Sequence, residues 1–276
     1  MKYTNESYLE SAQFIKNQLG EFSPDILLIL GSGLGFLAEH IEEPIFIPYD
    51  DIPYFQTSTA PGHIGRYVFG KLAGKKVVAM QGRLHLYEGL SPEASAYPVR
   101  VAHLLGARAL ILSCATGGVN LNYNVGDLAC LTDYINLTHP GPMVGFDKSA
   151  FETRFFDMSA VFDREYLSDA KHIAQKHDIT LHDAVYFYMP GPQFETPAEI
   201  RAIRTLGGDV VGMSCVHETI MARRCGMRIM GFALITNMAA GILNQPLTED
   251  EVLVEGHKAK NKFSTIVLSL LQDMTV

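Results

Sequence analysis

Five consecutive apolar residues, Ile26-Leu27-Leu28-Ile29-Leu30, run directly into Gly31-Ser32-Gly33-Leu34-Gly35, and this passage constrains the fold more than any other. An apolar run without alternation, closed by glycines, reads as a strand buried on both faces, as in a parallel sheet covered by helices. Glycines at its exit let main-chain N–H groups converge on an anion, and Ser32 adds a hydroxyl. Ligands of open α/β sheets sit beyond the carboxyl ends of strands. The passage therefore carries two readings of equal weight: a phosphate-sized anion held at Ser32, or a tight strand-to-helix turn with no ligand. The spacing is G-x-G-x-G, not the G-x-G-x-x-G of dinucleotide sites, which weighs against a dinucleotide-dependent oxidoreductase. No Gly-Lys-Ser/Thr follows, so it is not a P-loop.

With 276 residues, 47% apolar and 19% charged, the chain has the makings of one soluble domain spanning residues 1–276. Its formal charge of −8 argues against a nucleic-acid surface, so an anionic substrate needs a local cluster of donors. Cys114, Cys130, Cys215 and Cys225 show neither a C-x-x-C pair nor zinc-ligand spacing and read as reduced, mostly buried thiols of a cytoplasmic protein. The polar start Met1–Glu6 has no signal-peptide core, and no apolar run approaches the roughly 20 residues that span a bilayer.

Residues Glu6 to Leu19 have helical periodicity, and Ile45-Phe46-Ile47 is a short strand between prolines. Thr57 to Arg66 has loop chemistry, with His63 read locally as an exposed loop histidine. Lys76–Met80 is a second buried strand followed by Gln81-Gly82-Arg83-Leu84-His85-Leu86-Tyr87-Glu88. If that segment stays extended, period-2 geometry puts Arg83, His85 and Tyr87 on one face. A guanidinium and an imidazole there make an anion site, the alternative being a solvated edge strand. Ser91-Pro92 opens a helix. Ala109–Cys114 is a third buried strand, and Ala115-Thr116-Gly117-Gly118 is a second glycine exit with bare N–H groups. The stretch from Asn136 to Asp163 is irregular, as functional or interfacial segments are. Val185–Met189 resumes the strand pattern. Thr196-Pro197-Ala198-Glu199 is a capping box that leaves Glu195 for another role, solvated or ligand-bound. Ile229–Ile235 is a strand ending at Thr236-Asn237. Thr248 to Leu271 reads as one long helix, with Thr248 and Glu251 as a second capping box.

Taken together, the runs GSGLG, STAPGHIGRYVFG, MQGRLHLYEG, ATGG, GPQFET, VVGMS and ITN stand in the order and spacing of one family. From Leu27 to the C-terminal helix the chain resembles the trimeric purine nucleoside phosphorylases, which split 6-oxopurine nucleosides such as inosine and guanosine with inorganic phosphate. The resemblance implies an α/β fold, a twisted mixed β-sheet surrounded by helices, and a homotrimer with shared sites. It implies phosphate bound by Ser32, Arg83, His85, Ala115 and Ser214, with His63 closing over it. It implies ribose against Tyr87 and Met213, with Phe155 contributed to a neighbouring subunit, and the purine at Phe194, Glu195, Thr236 and Asn237. His85, Glu195 and Asn237 are the implied catalytic residues. No metal or organic cofactor is implied, phosphate being a co-substrate. Three positions depart from the family pattern: Glu249 stands for a histidine near the ribose 5′-hydroxyl, His217 for a proline, and Thr116 for an alanine.

The chemistry implied is cleavage of a C–N glycosidic bond through an oxocarbenium-like state. Asn237 can donate to purine N7, and ionised Glu195 can accept from N1–H and a 2-amino group. Two further readings stand beside this one: a xanthosine-preferring member of the same family, and a non-catalytic nucleoside- or phosphate-binding module.

Overall fold

Every residue of β1 (Ile26–Leu30) is buried, and its side chains divide by parity between two cores. Leu27 and Ile29 pack with Val78, Met80, Leu110 and Leu112, whereas Ile26, Leu28 and Leu30 pack with Val77, Ala79 and Ile111. Alternation across the pleat thus feeds one apolar run to both faces of a sheet. The computed structural model describes residues 3–60, 62–146, 151 and 153–276, with the side chain of Glu249 outside the description.

β1 lies between β4 (Lys75–Gln81) and β5 (Ala109–Gly118), parallel to both. One face is covered by α1 (Asn5–Leu19), α2 (Pro92–Leu105) and α5 (Val216–Arg224), through residues such as Tyr8, Ile15, Tyr97 and Met221. The other is covered by α3 (Arg164–Lys176) and α7 (Lys260–Asp273), through Tyr166, Ile173, Phe263 and Ile266. The remaining strands are β2 (Glu42–Pro48), β3 (Arg66–Leu72), β6 (Leu128–Ile135), β7 (Leu181–Tyr188), β8 (Val210–Gly212) and β9 (Arg228–Met238). The order is β2-β3-β4-β1-β5-β8-β7-β6-β9, with parallel and antiparallel neighbours mixed. The mixed sheet surrounded by helices is therefore as expected. Unforeseen is its closure: β9 pairs with both β6 and β5, so five strands form a ring.

Four local expectations are corrected. The extended segment after β4 stops at His85, and Leu86–Glu88 is a 3-10 turn because the Glu88 carboxylate reaches back to the His85 N–H at 2.7 Å. Gly117 and Gly118 are strand residues rather than a free glycine exit, since they pair with β8 and β9. A Cβ on Gly118 would stand 3.0 Å from the Met238 sulfur, so glycine serves close packing there. The C-terminal segment is two helices, α6 (Glu249–Lys258) and α7, joined at Ala259. Thr248 precedes α6 without a side-chain cap, its expected partner Glu251 accepting instead from Gln245 Nε2. By contrast the Thr196–Glu199 capping box forms in full at the start of α4 (Pro197–Thr205).

Candidate active site

The exits of β1, β4, β5, β8 and β9 and the loop after β7 converge on a cavity of about 390 Å³. Ser32 comes from the first glycine turn, Arg83 and His85 from the β4 exit, and Ala115 from β5. Ser214 follows β8, while Thr236 and Asn237 lie within β9. Tyr87, Phe194, Glu195 and Met213 complete the expected residues in its wall. Thr116, Gly117, Pro192, Val211, Gly212 and Val252 also line it, without having been singled out as site residues.

Arg83 is 1% exposed, and its guanidinium is held at two edges. Nε donates to Glu218 Oε1 at 3.0 Å, and Nη1 donates to the Ser113 carbonyl at 2.7 Å and Ser214 Oγ at 3.2 Å. Nη2 is buried without an acceptor among the described residues. Burial alone would depress this group, but Cys215, Glu218 and Cys114 hold it above its ordinary pKa, so it is a permanent cation. Ser214 is fixed from its other side, its N–H donating to the Tyr186 hydroxyl at 2.9 Å. The next residue, Cys215, takes φ of 69°, a strained value for a non-glycine residue, and turns the chain into α5. The positive end of α5 thereby follows directly on Ser214.

Three rings stand in series beside this group. His63 and His85 stack with centroids 5.2 Å apart, and His85 and Tyr87 at 4.5 Å. His63 does not line the cavity, but its Nε2 is 3.4 Å from Ser32 Oγ. Nδ1 of His63 donates to the Arg83 carbonyl at 3.0 Å, so Nε2 accepts from the Ser32 hydroxyl. Burial, together with the neighbouring His85 and Arg83, lowers the His63 pKa to about 4, which keeps it neutral. His85 is likewise lowered by burial, and its Nδ1 donates to Glu88 Oε1 at 3.2 Å, leaving Nε2 as the free ring nitrogen. Glu88 also accepts from Thr59 and Ser58. It had no place in the sequence reading, although its spacing three residues after His85 is that of a reciprocal turn closure.

Four residues further along β5 than the Ser113 carbonyl that holds Arg83, Asn237 pairs with Gly117; there the Thr236 hydroxyl donates to Asn237 Oδ1 at 3.1 Å, and Asn237 Nδ2 donates to the Met238 carbonyl at 3.3 Å. One Nδ2 hydrogen remains available. Burial raises the Glu195 pKa above its usual value. Thr116 turns its hydroxyl to the Leu234 carbonyl at 3.1 Å, so its departure from alanine adds no free polar group to the wall. Among the described residues no group of three His, Cys, Asp or Glu side chains is placed to hold a metal.

Two expected residues stand apart. Phe155 is 87% exposed and outside the cavity of its own chain. The side chain of Glu249 lies outside the described residues, although its backbone begins α6. His217, the third departure, is buried in the first turn of α5, its ring edge-on to Tyr188 at 5.0 Å, and lines no part of the cavity.

A family profile described as Phosphorylase superfamily matches residues 25–272. Purine nucleoside phosphorylase 1 of Bacillus subtilis is 48% identical over 95% of this chain and 96% of its own. Purine nucleoside phosphorylase of Bos taurus is 40% identical over 99% and 97%. The crystal structure of the Schistosoma mansoni purine nucleoside phosphorylase in complex with inosine superposes with a TM-score of 0.93 at 34% identity, covering 100% of this chain and 99% of that one. A structure of that protein with adenosine gives 0.93 at 35%.

Proposed function

The chain belongs to the purine nucleoside phosphorylases of the phosphorylase superfamily, enzymes that cleave purine nucleosides with phosphate, and from that premise we propose a 6-oxopurine preference and a set of residue roles. The carrying observation is the pairing of ends in one cavity: an anchored cation with a spare N–H at Arg83, and an amide with a spare N–H at Asn237. Inorganic phosphate is read against Ser32, Arg83, His85, Ala115 and Ser214, with His63 above Ser32. The nucleoside is read against Tyr87, Met213, Phe194, Glu195, Thr236 and Asn237.

In the reaction a phosphate oxygen bonds to the anomeric carbon as the C1′–N9 bond breaks, its electron pair leaving with the purine. The products are free base and ribose 1-phosphate. Arg83 and the start of α5 hold phosphate beneath the sugar, where its negative charge stabilises the oxocarbenium-like state. His85, with Nδ1–H committed to Glu88, presents a neutral Nε2 that accepts a hydrogen bond from a phosphate hydroxyl and orients the anion beneath the sugar. Asn237 donates its spare hydrogen to N7 as charge builds on the base. Glu195 accepts from N1–H, a bond that lowers its raised pKa by favouring the ionised form. A 6-oxopurine carries N1–H, whereas a 6-aminopurine presents a lone pair there, so Glu195 favours hypoxanthine and guanine.

Phe155, exposed on the irregular segment, suits a residue lent to the site of a neighbouring copy in a homotrimer. Four free cysteines support a reducing compartment such as the cytoplasm. The test is an ultraviolet assay with inosine, guanosine, xanthosine and adenosine, each with and without phosphate, paired with sedimentation analysis of wild type and Phe155→Ala. Phosphate-dependent cleavage of inosine and guanosine over adenosine supports the reading. Preference for xanthosine or adenosine overturns the base assignment, and phosphate-independent release of free ribose overturns the phosphate site.

A further inference from the structure

Arg83–Glu218 is the one arginine–carboxylate pair among the described residues with both side chains buried, at 1% and 3% exposure. Glu218 stands in the first turn of α5, four residues after Ser214, and the two grip one guanidinium. Glu218 Oε1 accepts from Nε at 3.0 Å and Ser214 Oγ accepts from Nη1 at 3.2 Å. The positive φ of Cys215 lies between them and lets one short segment present both acceptors. Since the guanidinium is a rigid planar fork, fixing Nε and Nη1 also fixes where Nη2 points. Nη2 is the donor left buried and unpaired among the described residues. Such a group is costly unless an acceptor arrives.

We propose that Glu218 is a positioning residue for the phosphate co-substrate: it aims Arg83 Nη2 at the anion and neutralises the buried guanidinium while the site is empty. The proposal rests on the phosphate reading of the cavity. Removing the Glu218 acceptor releases the Nε edge and leaves the guanidinium held only at Nη1, by the Ser113 carbonyl and Ser214 Oγ, so Nη2 is aimed less well and phosphate binding weakens. Keeping the acceptor while removing its charge leaves Arg83 aimed but uncompensated, a buried charge that phosphate then relieves. The alanine and glutamine variants therefore move phosphate affinity in opposite directions. A carboxylate acting only as a structural filler would move both the same way.

The experiment measures phosphate KM, inosine KM and the rise of Tm with added inorganic phosphate in wild type, Glu218→Ala, Glu218→Gln and Arg83→Ala. Glu218→Ala is expected to raise phosphate KM about tenfold while inosine KM stays within about twofold. Glu218→Gln is expected to lower phosphate KM by about threefold or more, with a larger phosphate-induced Tm shift. If Arg83→Ala leaves phosphate KM unchanged, the phosphate reading itself fails. If Arg83→Ala raises it but neither Glu218 variant departs from wild type, or both depart in the same direction, the positioning role is overturned. Should Glu218→Ala not fold, Glu218→Gln decides alone, and an unchanged or higher phosphate KM overturns the proposal.

Discussion

Gly33 and Gly256 meet backbone to backbone. A Cβ on Gly256 would stand 2.8 Å from the Gly33 Cα, and one on Gly33 would stand 3.0 Å from the Gly256 Cα. The helix α6 is thus seated directly on the turn that carries Ser32. The same helix puts Val252, four residues earlier and on the same face, into the cavity wall.

Gly256→Ala should therefore push α6 off the turn and disturb both ends of the site. Overpacking against unyielding backbone costs about 1–3 kcal/mol, and the KM values for phosphate and inosine should rise together. Gly33→Ala should cost more, because φ of 75° at that position adds about 1–2 kcal/mol for a residue with a Cβ. Urea unfolding and steady-state kinetics on the two variants check the order. A Gly256→Ala variant as stable as wild type would mean that the contact is slack.

Glu88 ties two phosphate-side groups to each other. Oε1 accepts from the His85 N–H and ring Nδ1, while Oε2 accepts from Thr59 and Ser58 on the loop that carries His63. Glu88→Gln must turn an NH2 group toward one of these sets of donors. His85 or the loop then loses its anchor, and phosphate KM should rise about tenfold, the scale of one or two charge-assisted bonds. Inosine KM, set mainly at the far end of the cavity, should change less. An equal loss in both would place Glu88 in general scaffolding.

What the sequence made legible follows from how local the signal was. β1, β4 and the helices at Ser91 and Thr196 were marked by unbroken apolar runs or caps within a few residues and formed as read, while the first helix was marked by periodicity from Glu6 and starts one residue earlier, behind a cap at Thr4. Eleven of the expected site residues line one cavity, because strand exits and glycine turns gather them at one end of the sheet. β3 escaped because Arg66 closes a loop-like passage and its pairing to β4 is made by the turn at Ala73 and Gly74. β6 escaped because its partners β7 and β9 lie far away in sequence. Glu218 escaped for the same reason: a carboxylate on a helix reads as solvated until the fold brings Arg83, 135 residues earlier, against it. Phe155 and the ribose-end departure at Glu249 depend on a neighbouring chain and on a side chain outside the described residues, so the roles expected of them stand as proposals.

Acid should destabilise the fold through its buried histidines before its carboxylates. Burial lowers His217 and His63 to about 4, below the ordinary value of 6.5. On unfolding they bind protons they lack in the native state, so their contribution is present above pH 6.5 and lost as pH falls toward 4. Glu88 follows: hydrogen bonds from His85 and Thr59 overcome its burial and hold it near 2, so its contribution is lost only between pH 4.5 and 2. His217 is buried with Nε2 unpaired among the described residues and lies outside the cavity. His217→Gln should flatten the fall in unfolding free energy between pH 6.5 and 4.5 by up to about 1.4 kcal/mol per pH unit. Denaturant titrations at those two pH values measure it. A slope unchanged from wild type would mean that His217 takes up its proton in the native state.

Base choice should turn on the one free hydrogen of Asn237. Its amide oxygen already accepts from Thr236, and one Nδ2 hydrogen is committed to the Met238 carbonyl. Asn237→Asp keeps the first bond but sets a carboxyl oxygen 3.3 Å from a carbonyl oxygen in a site that is 8% exposed. Two acceptors cannot share that approach without a proton between them, so the new carboxyl should be protonated near neutral pH and donate to Met238. Nothing then remains to donate to N7, and kcat/KM for inosine should fall about a hundredfold or more, the scale of an unmet buried polar contact. As pH rises the carboxyl ionises, and an ionised carboxylate accepts from a 6-amino group but cannot serve a 6-oxo acceptor. The adenosine-to-inosine ratio of kcat/KM should thus climb with pH in the variant while staying flat in wild type. Measuring both substrates from pH 6 to pH 9 gives the result directly. A variant whose ratio stays at the wild-type value throughout would move base selection to Glu195.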